Sequence, residues 1–352
     1  MSLSFFHTGL AAVFLSVVAF SCSKAPLPSP SRCTGDIYGE LHSPLVNDEH
    51  EKEHQTHWSC LFYGSYPANE VVSGSFDAVD AYAVQEGDLI IDPVLYSKLS
   101  EADWDGNEDT MIDGKRYHRL CGADAVTASG DRSQHYRWKD LSSWHYFAYA
   151  PIKWRVLNIK GTEALLLADR MPDNSPFHDG PEDVSWSESH LRQWLNLIFL
   201  ERAFSPSERT PIVEKRIDNA DNFYFGTPCG PDTSDRIFIL SEAEVFASDH
   251  AVDHGFYPGD GFTDPARRFS STLYAKCRGS WWSPTDNSLG CSFWFLRTSG
   301  YTPANAVYVG AGGDIYNRGM VNTCNDAAVL PAMILDLSRA DWHPAPEVTA
   351  AL

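Results

Sequence analysis

The 352-residue chain lacks the short signatures from which chemistry is usually read. It has no G-x-S-x-G nucleophile elbow, no cysteine with a recognisable histidine partner, and no C-x-x-C pair of the redox or zinc kind. Its one glycine-rich stretch, Gly310-Ala311-Gly312-Gly313-Asp314, lacks G-x-G-x-x-G spacing and no helix pattern comes after it, so it reads as a hairpin turn rather than a phosphate loop. Basic residues are scarce: 27 Lys and Arg face 47 Asp and Glu, for a net charge of −20. That field repels phosphate backbones, which excludes nucleic acid as a partner. The apolar run at residues 9–20 is broken only by Ser16, and its twelve residues are too few to cross a bilayer. Aromatic residues, in contrast, are plentiful, with 11 Trp, 15 Tyr and 19 Phe. They supply core volume, and they also supply contact faces for carbohydrate or protein.

The short apolar run suits a signal-peptide core, and residues 1–21 are read as a signal peptide although Lys and Arg are missing ahead of it. It ends Ala19-Phe20-Ser21-Cys22, which allows two outcomes: lipidation of Cys22 as a lipoprotein anchor, or plain cleavage after Ser21. Either way the chain is expected to be exported, and the preferred outcome is a lipoprotein held at the cell-envelope membrane through lipid on Cys22. Residues 22–59 carry Pro and Ser with little apolar content and read as a flexible linker, which as a coil would reach roughly 30–35 Å. Within it, His50-Glu51-Lys52-Glu53-His54 spells a zinc-protease motif. Its neighbours are all polar, so a helix there has no apolar face to bury under a cleft, and a charged linker is the better reading. Of eight cysteines, lipidation of Cys22 leaves seven, and export permits disulfides without fixing their pairing.

Residues 60–338 read as one globular domain of mixed α+β class with short strands and a few capped helices, and 339–352 as a C-terminal tail. Residues 60–67 form a strand that ends at a Gly and Pro turn. The segment Asp103-Trp104-Asp105-Gly106-Asn107-Glu108-Asp109 alternates carboxylates around a glycine and raises calcium as a cofactor, but the twelfth-position glutamate of an EF-hand is missing. Residues 152–157 and 164–168 form a hairpin whose second strand is apolar on both faces and therefore central. Ser185-Trp186-Ser187-Glu188 predicts a capping box, and Leu191, Trp194, Leu195 and Ile198 come next at helical spacing as a core stripe. Two further boxes open at Ser205 and Ser241.

The order Phe-Tyr-Gly-Ser-Tyr-Pro (62–67), Pro-Ile-Lys-Trp-Arg-Val-Leu (151–157), Trp-Ser-Glu-Ser-His-Leu-Arg-Gln-Trp-Leu-Asn (186–196), Ala-Phe-Ser-Pro-Ser-Glu (203–208) and Phe-Trp-Phe-Leu-Arg-Thr-Ser-Gly (293–300) resembles a bacterial family of domains of unknown function, number 6273 in that series. The chain departs from it at Leu330, where the family usually shows Arg before Pro331. The resemblance implies an exported or surface protein with a C-type-lectin-like or sulfatase-modifying-factor-like fold, and it transfers no catalytic residue.

Adjacent tryptophans in an extended loop cannot both point inward, which draws attention to Trp281 and Trp282. Turn-borne aromatics and amides of the final third join them: Asn287, Tyr301, Tyr308, Tyr316, Asn317 and Asn322. The expected function is a non-enzymatic binding protein offering these residues to a glycan or protein ligand. The alternatives are an enzyme on a sulfatase-modifying-factor-like scaffold using Cys277, Cys291 or Cys324 with a metal, and a structural envelope lipoprotein.

Overall fold

A computed structural model describes residues 41–47, 55–74, 84–125, 136, 138–246, 253–257 and 263–351. Residues 1–21, expected to be a signal peptide, and Cys22 and the His50–His54 motif lie outside the described residues. Residues 38–352 make one unit, a mixed α+β fold with seventeen strands among the described residues and short helices between them.

Its frame is a ten-stranded sheet built on β2 (Gln55–Val72), which comes after β1 (Leu45–Asn47). β2 runs antiparallel to β6 (Trp144–Lys160), and β6 turns at Gly161 into β7 (Glu163–Ala168), the hairpin expected from alternation. β7 pairs on its other side with β16 (Ala332–Asp336), so it is central, and Ala164, Leu166, Leu167 and Ala168 are buried. β11 (Ile237–Phe238) closes that end of the sheet, while β3 (Leu89–Ile91), β4 (Asp109–Ile112) and β5 (Lys115–Cys121) extend it along β2 and β6. β9 (Lys215–Ile217) and β10 (Thr233–Asp235) form a separate ribbon.

Two boundaries differ from the sequence reading. β2 does not stop at Pro67: it continues to Val72 through irregularities between Phe62 and Ser65 and between Pro67 and Asn69. Gly64 adopts φ +70 there, and a Cβ would run into the Phe204 ring, so this glycine makes a bulge rather than a turn. The sheet also recruits segments assigned to the linker and the tail. β1 pairs with Gln55–His57, and β17 (His343–Ala351) lies antiparallel on β2 from Gln55 to Phe62. Backbone pairing and the burial of Thr56, Trp58 and Ser59 place them there despite their polar surroundings in sequence.

The principal helix also differs in detail. Trp186–Glu188 is a 3₁₀ turn, and the helix proper starts at His190 with Ser189 as its cap, its hydroxyl accepting the Arg192 amide at 3.1 Å. A π-helical stretch, Leu195–Phe199, then adds a residue to the turn and rotates the next segment about the helix axis. Leu191 and Leu195 are buried as expected, but Ile198 is 50% exposed and Phe199 and Leu200 take the inward positions. The boxes at Ser205 and Ser241 form with both reciprocal bonds. Among the described residues the core carries five fully buried tryptophans, Trp58, Trp154, Trp186, Trp282 and Trp294.

Packed with this frame is a five-stranded sheet in the order β14 (Ile315–Val321), β13 (Asn305–Val309), β12 (Trp294–Ser299), β15 (Ala328–Val329), β8 (Asp173–Asn174). Every residue of β12 is buried, whereas β14, at the edge, leaves Tyr316, Arg318 and Val321 exposed. The glycine-rich stretch is the β13–β14 turn. Gly310 N–H bonds to the Asp314 carbonyl at 2.7 Å, and Gly313 takes φ +85 where a Cβ would strike the Asp264 backbone.

Candidate functional site

The five-stranded sheet sets its partly exposed aromatics in a row because strands are about one ring-stacking distance apart. Tyr308 on β13 pairs directly with Tyr316 on β14, and the two rings stack with centroids 4.6 Å apart and planes 2° from parallel. Phe293, the residue before β12, meets Tyr308 edge-on at 5.9 Å, and Trp281 lies 6.0 Å beyond Phe293. Trp281 is held in place by its own N–H, which donates to the Asp326 carbonyl at 2.9 Å. All four rings are partly open to solvent, Tyr316 most of all at 46%. Burial against its neighbours pushes the Tyr308 hydroxyl up to about 12, with Tyr316 and Cys324 adding to the shift, so it stays a neutral donor across the physiological range.

Two residues along the edge strand, Arg318 continues the row. Its guanidinium lies 4.8 Å from the Tyr301 ring and 5.9 Å from Phe225, and those two rings meet edge to face at 5.2 Å. Tyr301 is 55% exposed in the β12–β13 turn, where its N–H donates to the Arg318 carbonyl at 2.8 Å. Phe225 comes from a loop that Asn222 organises. The buried Asn222 side chain accepts the Tyr224 and Phe225 amides at 2.9 and 3.0 Å and donates to the Ser299 carbonyl at 2.8 Å.

Four of the eight residues singled out by sequence therefore fall in one band: Trp281, Tyr308, Tyr316 and Tyr301. Two are removed from any surface. Trp282 is fully buried, the inward member of its pair, and Asn322 is buried with its amide donating to the Pro303 carbonyl at 2.8 Å. Asn317 is half-buried beside the band, its carbonyl within 3.5 Å of Asn222 Nδ2. Asn287 stands exposed on the turn Asp286–Ser288, its carbonyl taken by Arg268 Nη1 at 3.1 Å. Sequence reasoning missed Phe225, Phe293 and Arg318. The run Phe223-Tyr224-Phe225, set between Asn222 and Gly226, is the signal that was available, by the same logic that drew attention to the paired tryptophans.

The band lies wholly inside a recognisable segment. Residues 161–337, half of the chain, match the family model described as "Domain of unknown function (DUF6273)". The chain belongs to this family. The family segment runs from the β6–β7 turn to just past the end of β16, so β2 and all of β6, with the motifs at 62–67 and 151–157, lie outside it. No curated protein and no solved structure matches the chain.

Other groups considered for chemistry are engaged elsewhere. Asp109 binds Arg116 at 2.6 Å and His118 at 3.0 Å, Glu108 binds Arg119, and Asp105 accepts the Asn107 and Asp109 amides. Among the described residues there is no group of three or more His, Cys, Asp or Glu placed to hold a metal ion. The six described cysteines are all free. Burial raises the Cys277, Cys291 and Cys324 thiols above the ordinary range, Cys277 well above it. No helix among the described residues is long and apolar enough to cross a membrane.

Proposed function

We propose that this family member is a non-enzymatic, exported binding protein with a C-type-lectin-like fold, anchored to the envelope membrane through lipid on Cys22, and that it holds a glycan against the aromatic band. The observation that carries the reading is the ring-to-ring row from Trp281 through Phe293 and Tyr308 to Tyr316, continued along the edge strand by Arg318 with Tyr301 and Phe225. A sugar presents C–H faces that pack on aromatic rings and hydroxyls that bond to neighbouring polar groups, and this row supplies both kinds of partner side by side. The rings are already packed on one another, so binding orders little that is not ordered beforehand. The enzymatic alternative needs a thiolate at Cys277, Cys291 or Cys324, and burial works against one at each position.

A glycan array probed with the purified chain tests this. At least one glycan class should bind, and Trp281→Ala and Tyr316→Ala should each weaken it about fivefold or more, the loss expected when a contacting aromatic costs roughly 1 kcal/mol. Binding undiminished in both variants would remove the band as the site. Binding of envelope proteins in place of any glycan would overturn the ligand class. Membrane fractionation of Cys22→Ala, expected to release the chain, tests the anchor separately.

A further inference from the structure

A cavity of about 480 Å³ opens beside the Phe223–Phe225 loop, within the range that accommodates small ligands. Ile217, Phe238 and Phe246 contribute apolar wall, with Phe223 and Tyr224 on the loop side, and Phe223 is 87% exposed. Glu242 also lines this space. It begins the helix Glu242–Val245, its backbone N–H donating to Thr298 Oγ1 at 2.9 Å, and the residue is only 5% exposed. Its Oε1 is buried with no hydrogen-bond partner among the described residues. A buried, unmatched carboxyl oxygen in an apolar cavity is a costly arrangement in an empty site.

The surrounding charges say what would complete it. Arg297 is committed to Glu244 at 2.5 Å and to the Ile239 and Asp218 carbonyls. Lys215 is paired with Glu163 at 3.0 Å and Arg216 with Asp232 at 2.7 Å, neither of which lines the cavity. Asp218 and Asp221 make no ion pair among the described residues, and Asp221 accepts the Cys229 amide at 3.3 Å. Of the remaining titratable neighbours, the Tyr224 hydroxyl sits near enough to Glu242 to respond to its charge, and His254 lies beyond Glu244, with Nδ1 at 3.1 Å from that residue's carbonyl. These three cations are thus engaged, and the buried lining atoms without a partner among the described residues, Glu242 Oε1 and the Asn219 amide oxygen, are both acceptors. A metal ion would need several converging ligands, which the described residues do not provide here.

We propose that this cavity binds a primary ammonium group carried on a short apolar stem, with Glu242 as its counter-ion and the Phe223 and Tyr224 rings beside the stem. An ammonium satisfies the orphan oxygen, and an organic cation gains from aromatic walls where a hydrated metal would not. The site uses none of the rings assigned to the glycan, so either assignment can fail without the other. A free amine and a lysine side chain both carry such an ammonium, and the test separates these sources.

Calorimetric titration of the full chain with n-butylammonium chloride, and in parallel with the tripeptide Gly-Lys-Gly, is the experiment, at constant ionic strength. Saturable binding of either supports the site, and which of the two binds identifies the source. Because Glu242 must ionise to pair, affinity should be about tenfold higher at pH 8 than at pH 6. Glu242→Gln should bind at least about tenfold more weakly at pH 8 and lose that pH dependence. In the wild-type chain, saturating amine should lower the midpoint of the Glu242 carboxyl titration monitored by carbon-13 NMR, a readout that needs no variant. No saturable binding of either amine, wild-type affinity in Glu242→Gln, or an unmoved midpoint would each overturn the assignment.

Discussion

Glu242 makes the free protein's stability depend on pH in a direction opposite to that of most carboxylates. Burial alone lifts its carboxyl from an ordinary 4.5 to about 7. Between those values the native state holds a proton that the unfolded chain has released, so raising the pH through this window destabilises the fold at this residue. Above pH 7 the whole penalty is present, on the order of 2–3 kcal/mol, and below about pH 4.5 it is gone. Glu242→Gln keeps the shape of the protonated acid. It should therefore unfold in urea with a stability near wild type at pH 5 and exceed it by on the order of 2 kcal/mol at pH 8. Equal stability at pH 8 would mean that the carboxylate is compensated in solution. Individual residues also mark where sequence reading reached its limit. The rule that adjacent tryptophans cannot both face inward was sound, yet it does not say which one turns in; packing chose Trp282 for the core and left Trp281 half-buried next to Phe293.

At the scale of elements, the patterns set by local physics were readable and those set by distant partners were not. The β6–β7 hairpin, the glycine turn between β13 and β14, and the capping boxes at Ser205 and Ser241 arise from neighbouring residues alone. The π-helical stretch carries no comparable local mark, and it moved Ile198 to the surface. β17 is the clearest case of a distant partner: its sequence, with Pro344 and Pro346, reads as a tail, and only the open edge of β2 makes it a strand. The register shift between Ala345 and Val348 accommodates Pro346. Ending the chain after Trp342 should leave the β2 backbone from Gln55 to Phe62 without this partner. The expected result is a loss on the order of 3 kcal/mol in urea unfolding, together with aggregation seen by light scattering, since an open edge pairs with other chains. A truncated chain as stable and monodisperse as wild type would show that β17 adds nothing to the sheet.

For the molecule as a whole, the imbalance of 47 acidic against 27 basic residues links stability to ligand choice. A net charge of −20 repels itself in the compact state, and salt relieves the repulsion by shortening the Debye length from about 30 Å at 0.01 M to about 8 Å at 0.15 M. Salt also weakens surface ion pairs such as Lys98–Asp113 and Lys215–Glu163, but exposed pairs contribute at most about 1 kcal/mol each and often nothing. Self-repulsion should win, so the melting temperature should rise by a few degrees over that salt range; a flat or falling curve would give the pairs the larger share. The same field acts on ligands before contact. It opposes sulfated and uronic-acid glycans and favours neutral ones at the aromatic band, and it draws amines toward Glu242. Ligand trends with salt should accordingly split. Glycan affinity at the Trp281–Tyr316 row should change little between low and physiological salt, whereas butylammonium affinity should fall severalfold, and fall less in Glu242→Gln, where the nearest charge has been removed. Identical salt dependence in the variant would assign the attraction to the general surface charge and not to the cavity.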